Sequence, residues 1–211
     1  MKQSEIDREA RLLAKAEAKA RRWKSIGSTQ YWTIGPLFFE LVVSASAKEG
    51  TFYFSLRFKW LDLDQVLWRV LGMSSNEHEP FSLHANGAFV LTGWEVHSMI
   101  VRELTWQPGV LAQQIQIAAQ QAGAKANEVA LQVDSLDSYV EFLERDCKAF
   151  MQKHPRAAIT GWKEKLLVAM LRGDKAVAAE IAKTRIAAND SGGFSSDGKS
   201  FYERSLALNA T

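Results

Sequence analysis

The sequence predicts an α+β fold: an antiparallel sheet of about four to five strands with an N-terminal helix and a crossing helix, followed by a C-terminal helical half. Three observations carry this expectation. In residues 51–60, Phe52, Phe54, Leu56, Phe58 and Trp60 alternate with Tyr53, Ser55, Arg57 and Lys59, the period-two pattern of a strand buried on one side. From Asp62 the period changes, with Leu63, Val66, Leu67, Val70 and Leu71 at helical spacing. Beyond Pro108 every periodic segment has helical spacing and a plausible cap.

Taken in order, residues 3–24 are rich in Ala, Glu, Lys and Arg, all strong helix formers. They carry a thin apolar line through Ile6, Leu13, Ala20 and Trp23, which predicts a long, mostly exposed helix ended around Gly27. Residues 31–34 and 37–46 read as strands joined at Gly35-Pro36, and Lys48-Glu49-Gly50 is the next turn. After strand 51–60, Asp62 or Asp64 caps the crossing helix and Gly72 stops it. Phe81, Leu83 and Ala85 alternate with Ser82, His84 and Asn86, which predicts a fourth strand over 81–92. Residues 94–104 set a capping pair, Thr92 with Glu95, against the strand-like Met99, Ile100 and Val101, and the strand is preferred.

Helices are expected at 108–121, 135–154, 160–171 and 174–188. The last two form a hairpin about Gly173, with Leu166, Leu167 and Met170 facing Val177, Ala178 and Ile181. Ser200 with Glu203 caps a final short helix. The organisation is a basic N-terminal helix (1–28), a sheet region (29–106) and a helical region packed on it (107–211), one integrated domain.

Apolar residues make up 47% of the chain and charged ones 24%, ordinary globular proportions that exclude a disordered or fibrous class. No apolar run approaches the ~18 residues that span a bilayer, and the charged, alanine-rich N-terminus lacks a signal peptide's apolar stretch. A cytoplasmic protein without membrane partners is expected. The lone cysteine, Cys147, excludes an internal disulfide and multi-cysteine metal patterns, and its helical setting among Glu141, Glu144 and Asp146 predicts a buried structural thiol. Net charge is +2. Residues 1–24 nonetheless hold eight Lys or Arg against four acids, so a nucleic-acid surface would have to lie there.

Gly193, Gly198, Lys199 and Ser200 satisfy the spacing of a phosphate-binding P-loop. That chemistry needs a buried strand entering the loop and a parallel sheet around it. Here the preceding segment is helical and eleven residues follow Ser200, so a glycine-rich turn capping the last helix is expected, and no cofactor. His78, His84 and His97 lack the i, i+2 or i, i+4 spacing that aims two ligands at one metal ion. Six of the seven tryptophans, Trp23, Trp32, Trp60, Trp68, Trp94 and Trp106, fall in the first half; most are expected in the core, with Trp68 near the border of its helix's apolar stripe and suited to an interface as well as to a core edge.

The candidate binding surface is the polar side of the sheet, where Tyr53, Arg57 and Lys59 should project with His84 and Asn86 if the two strands are neighbours. Such residues together hold a carboxylate, a phosphate or an acidic loop. A short antiparallel sheet followed by a helical half is similar, in organisation alone, to small bacterial domains that include immunity and antitoxin-like proteins. No residue is carried across from them. The expected function is non-enzymatic recognition of another protein. The alternatives are nucleic-acid binding through the basic N-terminal helix, aided by Arg57 and Lys59, and an enzyme whose site surrounds Arg57, His84 and Asn86.

Overall fold

The computed structural model describes residues 1–87, 89–107, 109–154 and 161–209, apart from the side chains of Asn86 and Ser196; the predicted helix starts Pro108 and Thr160 lie outside them. In chain order the elements are α1 (Gln3–Ala20), β1 (Lys24–Ile26), β2 (Thr29–Ile34), β3 (Leu37–Ser46), β4 (Thr51–Trp60), α2 (Leu63–Leu71), a 3-10 turn (Ser74–His78), α3 (Leu83–Asn86), β5 (Trp94–Val101), α4 (Val110–Gln132), α5 (Leu136–Lys153), α6 (Trp162–Leu171), α7 (Lys175–Ala187), β6 (Ser195–Ser196), β7 (Lys199–Ser200) and α8 (Phe201–Asn209). The fold is α+β, with a five-stranded antiparallel sheet, an N-terminal helix and a helical C-terminal half. The chain divides into two compact units, one of Met1–Trp60, Phe81–Ala88 and Thr92–Gln132, the other of Leu61–Pro80, Phe89–Leu91 and Val133–Thr211.

In the first unit the strands form a meander in the order β1-β2-β3-β4-β5, every pair antiparallel. Short turns suffice for antiparallel neighbours. Gly50 has φ +56 in the β3–β4 turn, and a Cβ there would stand 2.7 Å from the carbonyl oxygen of Leu104, so glycine is required on two counts. One sheet face carries Leu37, Phe39, Leu41, Val43, Phe52, Phe54, Leu56 and Phe58, all at most 3% exposed. Helices α1 and α4 pack on the sheet and on each other.

The buried seam of α1 is Ile6, Ala10, Ala14 and Ala18, not the predicted line through Leu13 and Ala20. Alanines spaced four apart let a helix come close to its neighbours, and α4 answers with Ala118, Ala119, Ala122 and Ala126. Those alanines read in sequence as helix formers rather than as contacts. The N-terminus of α1 is pinned by Gln3, whose amide donates to the Ala45 carbonyl at 2.9 Å and accepts from the Ala47 N–H at 2.8 Å.

Two departures from expectation have clear causes. Residues 81–92 form no strand: Leu83–Asn86 is one helical turn closed by local bonds such as Gly87 N–H to Leu83 O at 2.7 Å. β4 is already paired on both edges, by β3 and β5, so no ladder is open to this segment there. In β5, pairing steps from Arg57↔Glu95 to Leu56↔His97. Val96 is thus an inserted bulge residue, which inverts the alternation within the strand and made 94–104 ambiguous in sequence.

Gln30, in β2 on the face of Trp32, is fully buried, and neither its amide oxygen nor its nitrogen has a hydrogen-bond partner within the protein. Desolvating an unpaired amide costs about 1–3 kcal/mol. Gln30→Met, of similar length and without the polar atoms, should therefore raise unfolding free energy in urea titrations by about 1–2 kcal/mol; a loss would show that the amide stabilises the fold.

In the second unit α2 is buried nearly all round and stops at Gly72, as expected, with the glycine in the left-handed conformation. Asp62 occupies the N-cap position without a side-chain bond. Asp64 is fully buried and accepts the Leu91 N–H at 2.7 Å, so it holds a neighbouring segment rather than capping the helix. Ser135 and Asp174 cap α5 and α7. Helices α6 and α7 pack together; the buried residues of α7 are Ala178 and Ala182, while Val177, expected in the hairpin contact, is turned to solvent. Ser200 and Glu203 cap α8 reciprocally, at 2.6 and 3.3 Å.

Candidate functional site

On β4, Tyr53, Arg57 and Lys59 share one face, as alternation requires, yet they divide into two groups. The phenol of Tyr53 and the hydroxyl of Ser55 donate to the same oxygen of Glu95, at 3.0 and 2.5 Å. Arg57 lies 3.8 Å from Glu40 across the β3–β4 pair. The bulge at Val96 places Glu95 and Ser98 on this same face, so Ser98 also bonds Glu95. Burial pushes the Glu95 carboxyl up, but bonds from Ser55, Ser98 and Tyr53 and the charge of Arg57 outweigh it and hold the group below the usual carboxylate range.

A carboxylate depressed in the native state contributes stability above its unfolded value and loses it as pH falls through the native one. Denaturant midpoints compared between neutral pH and about pH 3 should therefore fall less for Glu95→Gln than for the parent chain. Equal acid sensitivity would show that Glu95 is not held in this way.

Lys59 is 2% exposed; its ammonium donates to the His84 carbonyl at 2.9 Å and lies 5.2 Å from the centroid of the Phe38 ring. The His84 ring meets Phe38 and Phe81. Lys59 is therefore committed within the unit, and His84 reaches this group from a helical turn rather than a neighbouring strand. The side chain of Asn86 lies outside the described residues. Sequence reasoning missed Glu95, Ser55 and Ser98, whose convergence needs a bulge that no local pattern announced.

Cys147 is 6% exposed, and burial followed by the charge of Glu164 pushes its thiol up, away from thiolate chemistry. The P-loop-like segment, 193–200, carries the β6–β7 hairpin. Its Gly193 N–H, and that of the preceding Gly192, bond the side chains of Ser191 and Asp190. Among the described residues no group of three or more His, Cys, Asp or Glu is placed to hold a metal ion, and no helix is long and apolar enough to cross a membrane.

The other charged surface belongs to α1. Arg8, Arg11, Lys15 and Lys19 stand at i, i+3, i+7 and i+11 and are all exposed. At 3.6 residues per turn they fall within an arc of about 80° and run about 17 Å along the axis. Among the described residues none of them, nor Arg22, forms an ion pair. Three of the helix's four acids are used locally: Glu5 accepts the Lys2 N–H, Asp7 the Gln3 amide, and Glu17 binds Arg21 at 2.7 Å.

The stripe ends at a cluster of aromatic rings. Trp23 N–H bonds Ala18 O at 2.8 Å and Arg22 N–H bonds Lys19 O at 3.2 Å, the paired closure of a Schellman helix end. That turn lays Trp23 flat on Trp32, with centroids 3.8 Å apart and planes at 6°. Trp32 stacks in turn on Phe39, and Phe39 on Phe58, across the sheet. The Arg21 guanidinium lies 5.4 Å from the Trp23 centroid. A cleft of about 470 Å³ opens beside Trp23, lined by Arg21, Trp23, Trp32, Gln120, Gly123 and Asn127 among others. Comparison of the chain with models of protein families, with curated proteins and with solved structures returns no match.

Proposed function

We propose that this is a non-enzymatic binding protein whose partner is polyanionic and lies along the exposed face of α1. The observation that carries the reading is the stripe of Arg8, Arg11, Lys15 and Lys19, four exposed cations outside any ion pair among the described residues. A run of cations on one rigid face attracts a lattice of negative charge. An acidic protein face, as an immunity- or antitoxin-like role implies, and a nucleic-acid backbone both offer one. The sheet face expected to bind a protein is less suited, because Tyr53 and Arg57 are engaged with Glu95 and Glu40 and Lys59 is buried. The raised thiol of Cys147 favours binding over nucleophilic catalysis. We place the chain in the cytoplasm, where an unpaired thiol persists reduced.

The test is Arg8→Gln with Lys15→Gln and Lys19→Gln, three exposed positions whose change leaves the buried seam of α1 intact. Fluorescence anisotropy at low salt, with a labelled thymidine dodecamer and a labelled polyglutamate peptide, should show the parent chain binding at least one. The triple variant should bind it about tenfold or more weakly. Binding of neither probe, or equal binding by the variant, would refute the reading.

A further inference from the structure

We infer that the Trp23 cleft is a base-stacking site, so that the polyanion on α1 is single-stranded nucleic acid. The inference rests on the reading of α1 as a polyanion surface and adds what the charge stripe alone does not specify. Four observations support it. Trp23 is half-buried and held rigidly, one face on Trp32 at 3.8 Å and the Arg21 guanidinium over the ring at 5.4 Å from its centroid, so the plane offered to a base is that guanidinium, itself fixed by Glu17. Aromatic rings and guanidinium planes are the surfaces on which unpaired bases stack.

The exposed amides of Gln120 and Asn127 line the same cleft, and amides offer the paired donors and acceptors that a base edge requires. Gly123 of α4 lies beside the Trp23 ring, where a Cβ would make an ordinary van der Waals contact at 3.4 Å, and it closes one side of the cleft. Lastly, Arg22 has φ +62 at a helix end where glycine is the usual residue. A strained cation is thus kept between Lys19 at the end of the stripe and Trp23 at the mouth of the cleft. A neutral sugar would use the tryptophan but not the five cations leading to it; a single strand uses both.

Three probes of equal length separate the possibilities in anisotropy titrations of the full chain: a thymidine dodecamer, its abasic counterpart with the same phosphates, and a duplex. The thymidine strand should bind about ten- to a hundredfold more tightly than the abasic one. Trp23→Leu should abolish that difference and leave abasic binding unchanged. Gln120→Ala with Asn127→Ala, both exposed, should narrow it without touching the aromatic stack, and so decides the matter if Trp23→Leu fails to fold. Arg22→Gly should raise the thermal midpoint while weakening binding of both strands several-fold. Equal affinity for thymidine and abasic strands, or tighter binding of the duplex, overturns the base site and leaves the polyanion reading standing. Binding of none of the three overturns the base site, and if polyglutamate also fails to bind, the polyanion reading falls with it.

Discussion

Phe54→Ala and Phe58→Ala should each lower unfolding free energy by about 3–5 kcal/mol, because truncating a buried aromatic forfeits its transfer energy and leaves a cavity. Both rings are fully buried. Phe54 pairs with Val43 and Met99, and Phe58 with Phe39 and Trp94, so each loss is felt by three strands. Arg57→Ala, between them on the opposite face, should cost less than about 1 kcal/mol, since its pairing with Glu40 is part-exposed and long at 3.8 Å. Urea denaturation of the three variants checks this. An Arg57 loss exceeding either phenylalanine's would mean that the faces of β4 are inverted.

Trp68→Ala should be as damaging, at about 3–5 kcal/mol. Its position beside the apolar stripe of α2 left an interface and a core edge both open, and at 1% exposed it belongs to the core. Its indole N–H donates to the Phe89 carbonyl at 2.7 Å, and two residues on Leu91 N–H bonds Asp64. Segment Phe89–Leu91 thereby covers the flank of α2 that the stripe left uncovered, which explains how a helix with a narrow apolar stripe becomes buried nearly all round. Trp68→Phe keeps most of the packing and orphans one carbonyl, so its loss should be about 1–2 kcal/mol. Thermal or chemical unfolding of both variants decides, and two losses under about 1 kcal/mol would restore Trp68 to the surface.

The sequence made the long regular elements legible because their periods are carried by large side chains. The alternation of Phe52 to Trp60, the stripe of α2, Gly72 as its stop, and the Ser135, Asp174 and Ser200 caps all stand where expected. What was illegible depends on partners distant in sequence. The alanine seam of α1 acquires meaning from α4, and α3 takes its form because β5, later in the chain, occupies the free edge of β4. At the candidate site the basic block was visible, since charge needs no partner to be counted. The stack of Trp23 on Trp32 was not, because it requires a helix end with Arg22 in the left-handed region, and the cleft draws Gln120, Gly123 and Asn127 from a helix about a hundred residues away.

Salt dependence tests most directly the claim that α1 binds a polyanion. For a single strand the logarithm of the affinity falls with the logarithm of salt concentration by about 0.7 per phosphate contact. With Arg8, Arg11, Lys15, Lys19 and Arg22 each meeting one phosphate, the slope for the thymidine dodecamer should be about −3.5, reduced by about 0.7 in Lys15→Gln. An affinity that does not change with salt, or a slope unaltered by Lys15→Gln, would contradict it.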